Sequence, residues 1–297
     1  MRAEPTNLAA DRTGVQVTGV LLIVTVVGWA SAFPAIRAGL AAFGPAELGA
    51  LRFAIAAVPA ALYLVALRPA LPRPRDIWRF VFGGVFHVAL YTLLLNIGEQ
   101  TISAGASSFI INVGPILVAV MATTLLGERF PLPAWLGTIV SFAGIGLIAL
   151  GEGHGLHVGV GALLVLGAAV CASTATVVQK PLFASHRPLV VSAVNMVIGA
   201  LVLAPALPSG LGQIGSAPAG ARFAVLYLGV VPSLIAYATW SMVLARLPAA
   251  RAANFMYCVP PVATLLGFLW LGEIPTPIGL LGGLLALGGV VLVNLRR

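Results

Sequence analysis

The chain is a succession of apolar runs, each about as long as a hydrocarbon layer is thick. Clusters of charge, proline and glycine divide it into Val15–Ile36, Pro45–Leu67, Trp78–Ile97, Thr101–Leu126, Pro133–Leu150, Gly159–Lys180, Pro188–Leu207, Phe223–Ala245, Pro248–Leu271 and Thr276–Leu295. A helix needs ~20 apolar residues to cross a bilayer, and each run supplies close to that. The runs are continuous and do not alternate, which excludes membrane strands. They predict an all-α integral membrane protein of ten transmembrane helices. Composition leaves little else to build: 60% of the residues are hydrophobic and 8% charged, where a soluble domain carries ~25% charged.

Charge sets the orientation. The net charge of +8 is scattered through short connectors, the pattern of membrane topology and not of a phosphate-tracking face, so no nucleic-acid partner is expected. With a cytoplasmic N-terminus, only Arg37 and Arg222 of the 16 basic residues fall outside and Arg52 lies within a span; the rest are inside. This excess predicts a multi-pass protein of the cell inner (plasma) membrane with both termini cytoplasmic. Residues 1–14 then form a polar cytoplasmic tail. Ala30-Ser31-Ala32 resembles a signal-peptide cleavage site, but the apolar stretch before it outruns the usual ~7–15 residues of a signal core.

One stretch occurs twice. Ile111–Glu128 (INVGPILVAVMATTLLGE) returns as Met256–Glu273 (MYCVPPVATLLGFLWLGE). A proline breaks each apolar run and Leu-Gly-Glu closes it. Pro115 pairs with Pro260, Glu128 with Glu273, Gly137 with Gly282 and Gly144 with Gly289, all in one register. The chain reads as a five-helix unit written twice, over residues 15–150 and 151–297. An odd number of spans makes the second copy enter from the opposite face, so the two repeats are inverted. Inverted repeats are a hallmark of secondary transporters, whose substrate site lies at the midplane between the halves.

Ten helices in two repeats, Trp29 and Ser31 in the first helix, proline-broken fourth and ninth helices, and the closing Leu-Gly-Glu together resemble the drug/metabolite transporter (DMT) superfamily, EamA type. The resemblance covers Val15 to Leu295. Trp29 followed by Ile36-Arg37 resembles the branch of YddG-like amino-acid exporters. It implies export of small metabolites, amino acids among them. Exporters of aromatic amino acids in that branch place aromatic residues before the fourth-helix proline, where this chain has Asn112 and Gly114, and a tryptophan at the place of Cys171. The departures imply a broader or smaller substrate.

Transport makes no bonds, so the informative groups are polar, aromatic or kinked positions at membrane depth. Counting to the middle of each span brings His87, Asn112, Pro115, Ser173, Ser233, Tyr237, Tyr257 and Pro260 to one level. Pro115 and Pro260 each remove a backbone donor and free a carbonyl, which hydrocarbon tolerates only where it lines a cavity. The expected substrate-binding residues are Trp29, His87, Tyr91, Asn112, Tyr237 and Tyr257, with Pro115 and Pro260 as bend points. Plain packing is the competing reading for Tyr91, Tyr237 and Tyr257, an interfacial belt role for Trp29, and interhelical hydrogen bonding for His87 and Asn112. Arg52, roughly seven residues below the outer end, must snorkel or pair. Glu47 and Glu99 are placed to answer it as an ion pair at the rim; a gate or a contact to a substrate carboxylate is the alternative. Glu128 and Glu273 are expected to be structural at helix ends. Gly137-x-x-x-Ser141 and Gly282-x-x-x-Ala286 predict close helix approach, within the scaffold or at a homodimer face.

Reaction chemistry is not encoded. No phosphate-binding loop accompanies Lys180, the only lysine; no His-Glu-x-x-His exists; and His154 and His157 stand in a glycine-rich loop. No cofactor or metal is expected, and no carboxylate pair sits at the midplane to relay protons. Cys171 and Cys258 read as free thiols packed as small hydrophobes. The expectation is a monomer or homodimer in contact with membrane lipid, exporting a small solute by alternating access. The rivals are a channel, which needs a ring of charge or carbonyls, and a lipid-modifying enzyme, which needs a convergent acid/base or metal set.

Overall fold

A computed structural model of the chain describes residues 6–69, 72–101, 104–151, 159–271 and 276–294. Every element among them is helical. Six runs are long and apolar enough to cross a membrane: α1 (Val15–Leu40), α2 (Pro45–Leu67), α3 (Pro74–Gly98), α7 (Val160–Ala184), α8 (Pro188–Ile214) and α9 (Ala219–Arg246). Between and after them come α4 (Ala104–Ile111), α5 (Gly114–Leu125), α6 (Leu132–Gly151), α10 (Ala249–Asn254), α11 (Val259–Leu271) and α12 (Pro277–Asn294). Five of the six extend past their expected bounds at one or both ends, where caps, prolines and charged residues continue the winding, whereas α2 keeps Pro45–Leu67 as expected.

The expected fourth span divides into α4 and α5. Pro115 opens α5, so the helix restarts there rather than bending. Pro260 likewise follows an interruption, here the 3₁₀ turn Phe255–Cys258 between α10 and α11. The reason is the same twice: neither proline can donate to the carbonyl one turn back.

Two further departures from α geometry fall inside long helices. Gly83–Leu90 of α3 and Gly229–Ile235 of α9 wind as π-helix. Their bonds are re-satisfied across the bundle. Tyr237 donates its hydroxyl to the His87 carbonyl at 3.0 Å, and Trp29 donates Nε1–H to the Pro232 carbonyl at 3.2 Å.

The packing has a regular cross-pattern. α1 packs on α9 and α11, while α7 packs on α3 and α5. α2 meets α9 as α8 meets α3, and α2 also meets α8. α6 packs along α12. There the small-residue motifs meet each other within the chain: Ser141 donates to the Ala286 carbonyl at 2.9 Å, and a Cβ on Gly137 would lie 2.7 Å from the Gly289 carbonyl oxygen. Leucines, isoleucines and valines such as Ile23, Leu62, Ile139, Leu163 and Leu201 point outward and are exposed, whereas alanine supplies much of the interior. Large apolar groups outside and small ones between helices suit a lipid surround.

Glu128 fastens two elements. Its carboxylate accepts the amide hydrogens of Ala249 and Ala250 at 2.8 and 3.1 Å, capping the start of α10. A negative charge is favoured at a helix N-terminus. Lys180 donates to the Leu244 and Leu247 carbonyls at the end of α9, so both ends of the turn at Pro248 are held. Glu273, its sequence counterpart, lies outside the described residues, as do His154 and His157.

Glu128→Ala removes this cap and is expected to cost about 1–2 kcal/mol. The thermal midpoint in detergent should fall by several degrees, and Glu128→Gln, which keeps one acceptor, should recover part of it.

Candidate substrate cavity

One cavity collects most of the expected site. Trp29, Arg52, His87, Tyr91, Asn112, Pro115 and Tyr237 all line it, from α1, α2, α3, the α4–α5 break and α9. It holds about 900 Å³ of free space, the open solvent of its mouth included.

Rings form one wall. Trp29 meets Tyr237 edge-on at 5.6 Å between centroids and Trp240 at 5.4 Å. Tyr237 also stands 5.1 Å from the His87 ring, and Tyr91 lies edge-on to His87 at 6.5 Å. Because the Trp29 and Tyr237 donors are occupied by π-segment carbonyls, these two rings offer faces and edges to a solute, not hydrogens.

Polar groups come from other elements. Asn112 donates Nδ2–H to the Ser108 carbonyl at 2.7 Å, and its buried Oδ1 has no hydrogen-bond partner among the described residues. Ser173 donates to the carbonyls of Ala169 and Gly114, tying α7 to the start of α5. Arg52 is 4% exposed. Its Nε donates to Ser233 in the α9 π segment at 2.9 Å, and its guanidinium stands 5.0 Å from the Phe53 ring.

Three expected positions lie elsewhere. Tyr257 is 0% exposed and packs on Ala286 and Val290 of α12. The paired prolines 260 and 261 remove two successive donors and favour the 3₁₀ turn, which winds more tightly than an α-helix. That turn puts Met256 on the cavity and Tyr257 against the scaffold. Pro260 is buried beside the cavity wall without forming part of it. Glu99 is buried at the end of α3, and its carboxylate accepts no hydrogen bond among the described residues. The ion pair expected for Arg52 does not form: among the described residues neither Glu47 nor Glu99 brings an oxygen within 4.0 Å of it. Glu47 instead accepts from Ser209 at 3.2 Å. Cys171 and Cys258 are free and half-buried, and no cluster of three metal-ligating side chains occurs among the described residues.

The profile of the EamA-like transporter family matches the sequence twice, over residues 17–150 and 159–295. The chain belongs to that family. It is therefore a transporter of the drug/metabolite superfamily, not an enzyme. A "probable terminal-alkyne amino-acid exporter" of Streptantibioticus cattleyicolor is 38% identical over 93% of this chain and 92% of its own length. A "probable amino-acid metabolite efflux pump" of Salmonella typhimurium is 26% identical over 92% and 93%. A solved crystal structure at 22% identity shares the fold with a TM-score of 0.74, covering 94% of this chain and 97% of that one.

In this EamA-family chain, lining residues that depth alone did not reveal follow helical spacing. From Trp29 the lining continues to Ala32, Phe33 and Ile36, and on α7 it runs Ala169, Ala172, Ser173 and Thr176. Both sets are i, i+3, i+4, i+7, one helix face. Extending that stripe from Trp29 or Ser173 would have found them.

The two classes of position separate by experiment. Tyr257→Ala empties a fully buried site and is expected to cost about 3–5 kcal/mol, seen as a lower thermal midpoint and poor yield. Asn112→Ala should leave the midpoint within about 1–2 °C, since the one hydrogen bond lost, to the Ser108 carbonyl four residues back, goes together with a buried acceptor unpaired among the described residues, while lowering solute flux.

Proposed function

We propose that this EamA-family transporter exports small metabolites, amino acids foremost, by alternating access of the cavity between its two halves. The observation that carries the reading is the cavity's placement. Both halves supply its walls, and they do so beside their interruptions: the α4–α5 break, the turn before α11, and the π segments of α3 and α9. π-helical turns recur at functional sites, and interrupted helices at the midplane are how secondary transporters build theirs. Rings suit the apolar part of an amino acid, and the polar groups of Asn112 and Arg52 suit its charged ends. The two named relatives, a probable amino-acid exporter and a probable amino-acid metabolite efflux pump, point the same way.

The same reading holds that ten spans form two inverted repeats, residues 15–150 and 151–297, in the inner membrane with both termini cytoplasmic. Exchanging α1, α2, α3, α5 and α6 for α7, α8, α9, α11 and α12 carries the helix contacts named above onto one another, which supports a two-fold relation. The π segments support it too, since His87 and Pro232, whose carbonyls receive the ring donors, stand 145 residues apart (232 − 87), as do Pro115 and Pro260. Five spans per half place that axis in the membrane plane.

Purified protein in proteoliposomes should move radiolabelled amino acids down an imposed gradient with saturation and counterflow. Non-saturating flux would favour a channel; no flux of any amino acid would reject the substrate class. A reporter fused after Arg297 should be active only in the cytoplasm, and activity outside would reject the topology.

A further inference from the structure

We propose that Arg52 is the carboxylate anchor of the cavity, so that the transported solute must carry a carboxylate and organic cations are refused. This rests on the transport reading above and narrows its substrate class.

The argument starts from charge. Arg52 is the one ionised-type side chain other than His87 among the cavity's lining residues, and no aspartate or glutamate is among them. Nothing in the described wall offers an organic cation a counter-charge. A guanidinium has five N–H donors. Here Nε is engaged by Ser233, and the two terminal nitrogens make no hydrogen bond among the described residues. Phe53 stacks near the group but accepts no proton. Glu99 brings no carboxylate oxygen within 4.0 Å of it among the described residues. The unpaired edge of the guanidinium is a fork that matches a carboxylate in two parallel bonds.

The site is also built to hold that edge still. Ser233 belongs to the π segment of α9, which presses on α2 at Gly229. A Cβ there would come 2.7 Å from Ile55 and 2.9 Å from the Arg52 carbonyl oxygen. The close approach fixes the Arg52 backbone against the helix that holds its Nε. Elsewhere on the lining, Asn112 Oδ1 is a buried acceptor and Trp240 Nε1–H a buried donor, neither with a partner among the described residues. An acceptor and a cation on one cavity lining suit a zwitterion.

The test compares alanine, leucine and phenylalanine with their carboxamides, in which the carboxylate becomes a neutral amide and the ammonium is kept. Counterflow in proteoliposomes is measured for wild type, Arg52→Gln and Arg52→Lys, with thermal midpoints as the check on folding. Wild type should carry at least one acid and not its amide. Arg52→Gln should weaken apparent affinity for the acid about ten- to hundredfold, the size of a lost charge-assisted bond, and abolish the preference over the amide. Arg52→Lys should keep the preference with weaker binding. If wild type carries amide and acid alike, or folded Arg52→Gln transports as wild type does, the anchor is wrong while the transport reading stands. If no acid is carried, both fall. The acid-against-amide comparison in wild type decides even where a variant fails to fold.

Discussion

A backbone carbonyl inside hydrocarbon has no water to turn to, and leaving it bare costs several kcal/mol. This chain nevertheless interrupts its helices at several points around one cavity. Side chains from the opposite half donate to two carbonyls at those points: Tyr237 to that of His87 and Trp29 to that of Pro232. Irregular winding, cavity and inter-half contact are thus one feature. The rings close the backbone accounting of one half with atoms of the other, and their faces remain for a solute.

Association of the helices follows from the same solvent. Lipid tails are as apolar as leucine, so burial of large apolar side chains drives nothing. Close approach through small residues does, and the tightest seam is α6 against α12, where Gly137 and Gly289 meet backbone to backbone. That seam holds the two ends of the repeats together away from the cavity, while polar pairs such as Thr25 with Thr239 at 2.7 Å and Tyr227 with Ser31 at 2.8 Å join α1 to α9 beside it.

Much of this was legible in the sequence because a membrane imposes one length and one chemistry. The runs located every described long helix to within several residues at its ends, and the register of Pro115 and Pro260 located both interruptions. What remained hidden is direction around a helix. Counting gives depth, so Glu47 and Glu99 at the rim lie within a long side chain's reach of Arg52 on paper; it does not say that Arg52 turns to Ser233 instead. Tyr257 shows the same limit more sharply, since a short 3₁₀ turn is enough to aim it at α12 and leave Met256 on the cavity. The π segments had no composition signal that would set them apart from other glycine-containing turns.

The energetics of Arg52 connect these points to export. A charged group at membrane depth costs ~2.5–3.5 kcal/mol on insertion scales. One charge-assisted bond to Ser233, ~1.5–3 kcal/mol, and the Phe53 ring, ~0.5–2 kcal/mol, are together of that size. Two neutral partners therefore suffice to hold the guanidinium in the fold without an acid beside it. A resident carboxylate would have satisfied it fully and closed it to ligands. With its fork open, an entering carboxylate adds a further interaction of a few kcal/mol, enough to select among solutes. Set against the cost of stripping water from that carboxylate, the net binding stays weak, and weak binding is what lets a carrier release its solute on the far side.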